Sequence, residues 1–214
     1  MLPLLTAQQM KAAEEAAIEG FEIPTLLLME HAALALANHL ENRFGALLPK
    51  TRGIVLAGNG NNGGDALAAT RLLFERGCQN IFVVLPAAKG PRSESTQKQL
   101  ALLARLGFAW GTELSDDLLG ASDWILDGLF GTGLSRPIEG EYLERIECIN
   151  RFAEKKWIVS ADIPSGLSAD TGNPLPVAVR ASATVTFGFY KRGLVTGQAA
   201  DYVGQLSLAP IQIP

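Results

Sequence analysis

Apolar residues along this chain are grouped in two ways. Some form short runs that are apolar almost throughout: Gly53–Ala57 (GIVLA), Ile81–Leu85 (IFVVL), Asp123–Asp127 (DWILD) and Trp157–Ala161 (WIVSA). Thr184–Phe187 (TVTF) and Gln205–Leu208 (QLSL) continue the series. A strand with one wet face alternates polar and apolar positions, whereas a strand covered on both faces does not. These runs therefore predict buried strands. Between them the apolar positions follow helical spacing. Ala66, Ala69 and Leu73 share a face of a helix expected over Asp65–Arg76. Further helices are expected over Ser93–Leu106 and roughly Glu141–Glu154. Strands alternating with helices predict an α/β protein: a mostly parallel central sheet with helices on both faces.

Two helices precede the first strand. Thr6-Ala7-Gln8-Gln9 has the pattern of a capping box, and the helix it opens should run to about Gly20. Pro24 opens a second, carried through Leu40 by Leu and Ala spacing. They are expected to pack on the sheet or to form an interface. Residues 1–214 read as one domain, without repeat or linker. The most polar stretch, Ala87–Ser95, reads as a loop.

Composition narrows the partners. The chain has 214 residues, 48% hydrophobic and 19% charged, which is ordinary for a folded domain. The formal net charge is −4 and no basic stripe is visible, which argues against a nucleic-acid partner. No apolar run is long enough to span a bilayer, and the start lacks the pattern of a signal peptide. Cys78 and Cys148 have no metal-ligand spacing and read as reduced thiols. The expectation is a soluble cytoplasmic protein, with neither membrane nor nucleic acid as partner.

Ligands on open α/β sheets bind beyond the carboxyl ends of the strands. Three such ends carry chemistry here. Gly58–Asp65 (GNGNNGGD) leads from a strand into a helix, so its glycines expose backbone amides and the helix dipole favours an anion. Asp65 is expected to cap that helix. Asp127 ends the DWILD strand and is followed by Gly131-Thr132-Gly133; Asp162 ends WIVSA and is followed by Pro164-Ser165-Gly166. A carboxylate at a buried strand end is costly unless paired, metal-bound or facing a wet cleft. The first loop also satisfies the G-x-G-x-x-G fingerprint of dinucleotide dehydrogenases. That reading expects an acid at the end of the next strand, where Val84-Leu85-Pro86-Ala87 has none. Lys89 and Arg92, in the polar loop, read as solvated.

Taken together, Asn61-Asn62-Gly63-Gly64-Asp65, Asp127–Gly133, Asp162–Gly166 and Phe187–Gly193 (FGFYKRG) resemble the YjeF N-terminal domain family. Its characterised members are NAD(P)H-hydrate epimerases. The resemblance covers essentially the whole chain and implies a three-layer Rossmann-like fold. It also implies a repair activity, interconverting the R and S forms of NADH or NADPH hydrated on the nicotinamide ring. By the same resemblance a potassium ion is held by Asn62, Asp127 and Ser165. The hydrated dinucleotide would meet Asn61, Asn62, Gly63, Gly64 and Asp65, then Gly131, Thr132, Gly133, Leu134, Ser135, Arg136 and Pro137, and Asp162. Asp162 is the first candidate for the general acid/base, and Lys191 the second. The family pattern also implies a homodimer. Its functional partner would be an ADP/ATP-dependent dehydratase, fused in many bacterial relatives. The chain departs from that pattern at His31-Ala32-Ala33 and at Ala66; His31 reads as a structural helix histidine. A non-catalytic nucleotide-binding or scaffold module of the same fold, as in the enhancer-of-decapping proteins, is the alternative.

Overall fold

The computed structural model describes residues 3–87 and 90–214, so Lys89 lies outside the described residues. A two-residue strand, β1 (Leu4–Leu5), leads into α1 (Ala7–Glu15). The Thr6 hydroxyl accepts from the Gln9 amide at 3.2 Å and the Gln9 side chain accepts from the Thr6 amide at 2.9 Å, closing the expected capping box. Helical backbone continues to Gly20 in the wider π form over Ala16–Gly20. After Pro24, α2 (Thr25–Phe44) runs beyond the expected Leu40.

The strand–helix rhythm follows as β2 (Arg52–Ala57), α3 (Asn61–Glu75), β3 (Asn80–Val84), α4 (Glu94–Arg105), β4 (Trp110–Gly111), α5 (Asp116–Ala121), β5 (Trp124–Gly128), α6 (Glu141–Asn150) and β6 (Trp157–Ala161). Next come β7 (Ala183–Phe187), β8 (Tyr190–Lys191) and β9 (Gln205–Ala209). Seven strands form one sheet in the order β4-β3-β2-β5-β6-β7-β9, and every pairing in it is parallel. Side chains alternate across a strand, and here each face finds a core. Val55, Ala57, Leu126 and Val159 join a cluster with Leu36 and Leu40 of α2 and Leu67 and Leu73 of α3. Ile54, Leu56, Ile125 and Ile158 join another with Leu119 of α5 and Ile146 and Ile149 of α6. Burial on both faces is why these strands show no alternation in the sequence.

Two departures from expectation bear on the site. Asp65 does not cap α3. The helix begins at Asn61, with Gly60 as N-cap and no side chain capping it. Gly63 and Gly64 donate their amides to the Gly60 carbonyl at 3.1 and 3.3 Å, so NNGGD is itself the first turn and Asp65 sits inside the helix. Second, β1 and β8 form a separate parallel pair, Leu4 opposite Tyr190 and Leu5 opposite Lys191. Strands of two residues carry no readable period, and neither was expected. The pairing, with Ala7 N–H donating to Asp170 Oδ1 at 2.8 Å, ties the start of the chain to the carboxyl edge of the sheet.

Candidate active site

The chain leaves β2 for β3 on one side and returns to β5 on the other, so a crevice opens at the carboxyl end of β2. A cavity of about 690 Å³ occupies it. That is within the range of small-molecule sites, roughly 300–1,000 Å³.

The start of α3 forms one wall. Asn61, Asn62 and Asp65 line the cavity; Gly63 and Gly64 are buried behind them. A Cβ on Gly63 would come within 2.0 Å of the Gly58 carbonyl oxygen, and one on Gly64 within 2.4 Å of Met29 Cε. These two glycines exist for close packing. Gly60 is different: a Cβ there would meet nothing within 4 Å, and it lines the cavity. With no side chain capping α3, the amides of Asn61 and Asn62 at its start are left for an anionic ligand, those of Gly63 and Gly64 being taken by the Gly60 carbonyl. Ser93 N–H donates to the Asn59 carbonyl and the Thr96 hydroxyl to the Gly60 carbonyl, so α4 braces this loop from outside.

The loop after β5 supplies the next wall. Gly131, Thr132, Gly133, Leu134, Ser135 and Arg136 line the cavity, and Pro137 does not. Beneath them lies a buried polar cluster. Asp127 is fully buried; its Oδ1 accepts from the Ser165 hydroxyl (2.5 Å) and the Leu129 amide (3.3 Å), its Oδ2 from the Ser160 hydroxyl (2.8 Å) and the Ser165 amide (2.9 Å). Burial pushes the Asp127 carboxyl above its ordinary value, and these donors oppose the shift. Phe130 joins the set: its amide donates to Ser165 Oγ at 2.9 Å, and its carbonyl accepts from Asn62 Nδ2 at 2.9 Å. Asn62 Oδ1 is buried without a hydrogen-bond partner. The structure thus brings Asn62, Asp127 and Ser165 into one network. It offers a carboxylate with no cationic side chain against it among the described residues and an unpartnered amide oxygen nearby. Those oxygens suit a hard cation.

Asp162 follows β6 and lines the cavity. Its φ of +67° is a left-handed conformation that Asp tolerates better than most residues. Lys191, 1% exposed, reaches it from β8: Nζ donates to Asp162 Oδ1 at 2.5 Å, to the Phe187 carbonyl at 2.7 Å and to Thr186 Oγ1 at 3.1 Å. The Thr186 hydroxyl and the Phe187 amide also reach Oδ1, each at 3.2 Å. The three bonds to Asp162 all end on Oδ1; Oδ2 accepts none from the described residues.

The sequence reading did not single out Glu14 or Tyr142; both line the cavity, as does Asn59 of the first loop. Glu14 comes from α1. Burial first, then the Asp162 charge, raises its carboxyl to about 7. Asp65 is also held well above the usual carboxylate range, by burial and then by Asp162 and Glu14. A signal for Glu14 was present: an acid on the stripe Met10, Glu14, Ala17, whose other members are fully buried. The Asn59 amide oxygen is buried without a partner, and the Tyr142 ring packs on Phe130 with centroids 4.7 Å apart. His31 is outside the cavity; its ring Nδ1 lies 2.9 Å from the Leu27 carbonyl, as a structural helix histidine would. Its neighbour Glu30 takes both oxygens to Arg71 of α3, at 2.5 and 2.6 Å, clamping α2 to α3.

Residues 25–193 match the family model described as YjeF-related protein N-terminus. Over 206 residues the chain is 37% identical to the NAD(P)H-hydrate epimerase of Limosilactobacillus fermentum, covering 96% of this chain and 95% of that protein. It is also 37% identical, over 211 residues, to the bifunctional NAD(P)H-hydrate repair enzyme Nnr of Thermosynechococcus vestitus, covering 99% of this chain but 40% of that longer protein. The crystal structure of the yeast protein YNL200c shares the fold, with a TM-score of 0.82 at 20% identity over 97% of this chain and 87% of the other. With most of its length matched by the family model and nearly all of it by such relatives, the chain belongs to the YjeF N-terminal family.

Proposed function

We propose that this chain is an NAD(P)H-hydrate epimerase, an isomerase that interconverts the R and S forms of hydrated NADH or NADPH. One observation carries the reading: a carboxylate anchored by a buried lysine, Asp162 on Lys191, shares a cavity with the uncapped start of α3. The anchored pair suits proton transfer, and the helix start suits the pyrophosphate. The relatives named as epimerases match along nearly their whole length.

Inverting the hydrated carbon requires its hydroxyl to leave and water to return on the other face. The ring-nitrogen lone pair helps expel the hydroxyl once that oxygen is protonated. Asp162 can handle such a proton through Oδ2, while Lys191 and the Thr186 and Phe187 donors fix Oδ1. Asn61, Thr132, Ser135 and Arg136 offer polar contacts to the dinucleotide. Gly63 and Gly64 act through packing. Asn62, Asp127 and Ser165, with the Phe130 carbonyl, would hold a potassium ion. Its charge would offset that of Asp127 and steady the loops after β2, β5 and β6.

The bifunctional relatives carry the two repair activities on one chain, which supports an NAD(P)H-hydrate dehydratase as functional partner here. No helix among the described residues is long and apolar enough to cross a membrane. Two free cysteines suit the cytoplasm, the compartment we propose. We also propose a homodimer.

The test mixes the protein with R and S hydrated NADH and an excess of an S-specific dehydratase. Rapid consumption of the R form is expected. A dehydratase that stops at the S fraction, with this protein present and folded, would remove the proposal. Asp162→Asn should slow R consumption by about 10²-fold or more, given the usual worth of a positioned acid or base. Near-normal rates would take Asp162 out of the chemistry.

A further inference from the structure

Moving a hydroxyl from one face of a ring carbon to the other needs proton handling on both faces. One group protonates the departing oxygen, and another takes a proton from the arriving water. Asp162 is fixed in place by the donors on its Oδ1, so it serves one position. A second group has to come from another element.

The face of α1 that packs on the protein presents Met10, Glu14 and Ala17, spaced i, i+4 and i+7. Met10 and Ala17 are each 1% exposed, while Glu14 between them lines the cavity. Three anchors hold that helix. β1 pairs with β8, placing Leu5 opposite Lys191. Ala7 N–H donates to Asp170. Met10 Cε packs where a Cβ on Gly188 would be 3.1 Å away. The strand that carries Lys191 is therefore the strand that positions α1. Glu14 makes no hydrogen bond or ion pair with the described residues, and α1 precedes the segment matched by the family model.

We propose that Glu14 is the second proton-handling group of the site, serving the ring face that Asp162 does not. This rests on the epimerase reading above. In one direction the Glu14 carboxyl gives its proton to the hydroxyl oxygen. The carbon–oxygen bond breaks with its electron pair on oxygen, water departs, and the ring-nitrogen lone pair forms a carbon–nitrogen double bond. Water then adds to the other face, returning that pair to nitrogen, and its surplus proton passes to Asp162 Oδ2. One water leaves and one enters. The proton lost by Glu14 is matched by the one gained by Asp162, and the reverse reaction exchanges their parts.

The charged surroundings fit this use. Asp162, Asp65 and Lys191 face Glu14 from the loop after β6, from α3 and from β8; Glu15 and Lys11 neighbour it on α1, and Arg136 lines the same cavity. Three carboxyls around one ammonium favour keeping a proton in the cluster. Burial and the neighbouring carboxyls hold Asp65 well above the usual carboxylate range, and Glu14, at about 7, changes charge at neutral pH. A pair sharing one proton is active in both directions; the pair with none is not. Activity should therefore fall on the alkaline side of a limb near pH 7.

The experiment uses the full chain with potassium chloride, hydrated NADH and the S-specific dehydratase, following kcat and KM against pH for wild type, Glu14→Gln and Glu14→Asp. Nucleotide binding by intrinsic fluorescence reports that each variant is folded. Glu14→Gln should lose about 10²-fold in kcat with KM within about threefold, and lose the alkaline limb. Glu14→Asp should recover part of the rate and retain the limb. The proposal is overturned by a Glu14→Gln kcat within about threefold of wild type, by a loss confined to KM, or by an unchanged limb. If wild type itself leaves the R form untouched, the epimerase reading falls and takes Glu14 with it. An active wild type with an unimpaired Gln variant overturns the role of Glu14 alone.

Discussion

At the scale of single residues the site holds two carboxyls with opposite needs, Asp127 buried and Glu14 half-buried. Asp127 has hydrogen-bond donors but no counter-charge among the described residues, and beside it Asn62 Oδ1 lacks a partner. If potassium fills that place, binding to the folded state alone must raise its stability. Potassium should lift the melting temperature above that in an equal concentration of choline chloride. Asn62→Ala and Asp127→Asn should each reduce that increment. An increment of the same size in all three proteins would remove the potassium assignment. Glu14 gives a prediction of opposite sense. Burial and the Asp162 charge raise its carboxyl to about 7, above the ordinary carboxylate value of 4.5. The folded state therefore holds this proton more tightly, and stability declines as pH rises from about 4.5 to about 7. Glu14→Gln has no such proton to lose. It should match wild type near pH 4.5 and exceed it at pH 8, by at most about 3 kcal/mol in urea unfolding. A difference that does not change with pH would contradict the raised carboxyl value of Glu14.

At the scale of elements the first turn of α3 separates packing from binding within one motif. Gly63 has the Gly58 carbonyl where its Cβ would be, and backbone cannot yield as a flexible side chain can. Gly63→Ala should destabilise the protein by about 3 kcal/mol or more, read as a fall in the urea midpoint. Gly60, with open space at its Cβ position and a φ of −83°, should accept Ala with an unchanged midpoint and a weaker affinity for the dinucleotide. Equal midpoints for the two variants would defeat this division. The sequence showed that glycine was needed here, since four of eight positions between Gly58 and Asp65 carry it. It did not show which glycines face the ligand, because that depends on what the fold brings against each one.

For the whole molecule, apolar side chains exposed on and before α2 bear on assembly. Phe21, between the first two helices, is 63% exposed, and Leu27 and Leu34, one heptad apart on α2, are 45% and 41% exposed. Exposed apolar residues of this kind on a chain of net charge −4 are suited to a self-complementary contact. A homodimer built on it should dissociate in Leu27→Lys/Leu34→Lys, as measured by analytical ultracentrifugation, while an unaltered mass would place the contact elsewhere. Both substitutions lie outside the cavity lining, so the variant also asks whether epimerisation requires the assembly.

The sequence by itself determined the strand order in time, the buried character of each strand and the three loops at the carboxyl ends. These are local properties: period, glycine content and a carboxylate at a strand end are all visible within a few residues. Trp157–Ala161 was placed to the residue, and β2, β3 and β5 to within one. Only the tertiary structure decided which distant groups share the cavity. Glu14 and Lys191 are far apart in sequence, yet β1 pairing with β8 places the first beside the second. The partners of Asp162 likewise come from β7 and β8. The helix start at Asn61 rather than Asp65 was also a tertiary result, since glycines unfavourable in a free helix are held there by Gly58, Met29 and Thr96 packed against them. Loops whose chemistry can be read locally were legible, whereas the placement of α1 over Asp162 rests on long-range pairing that no local pattern encodes.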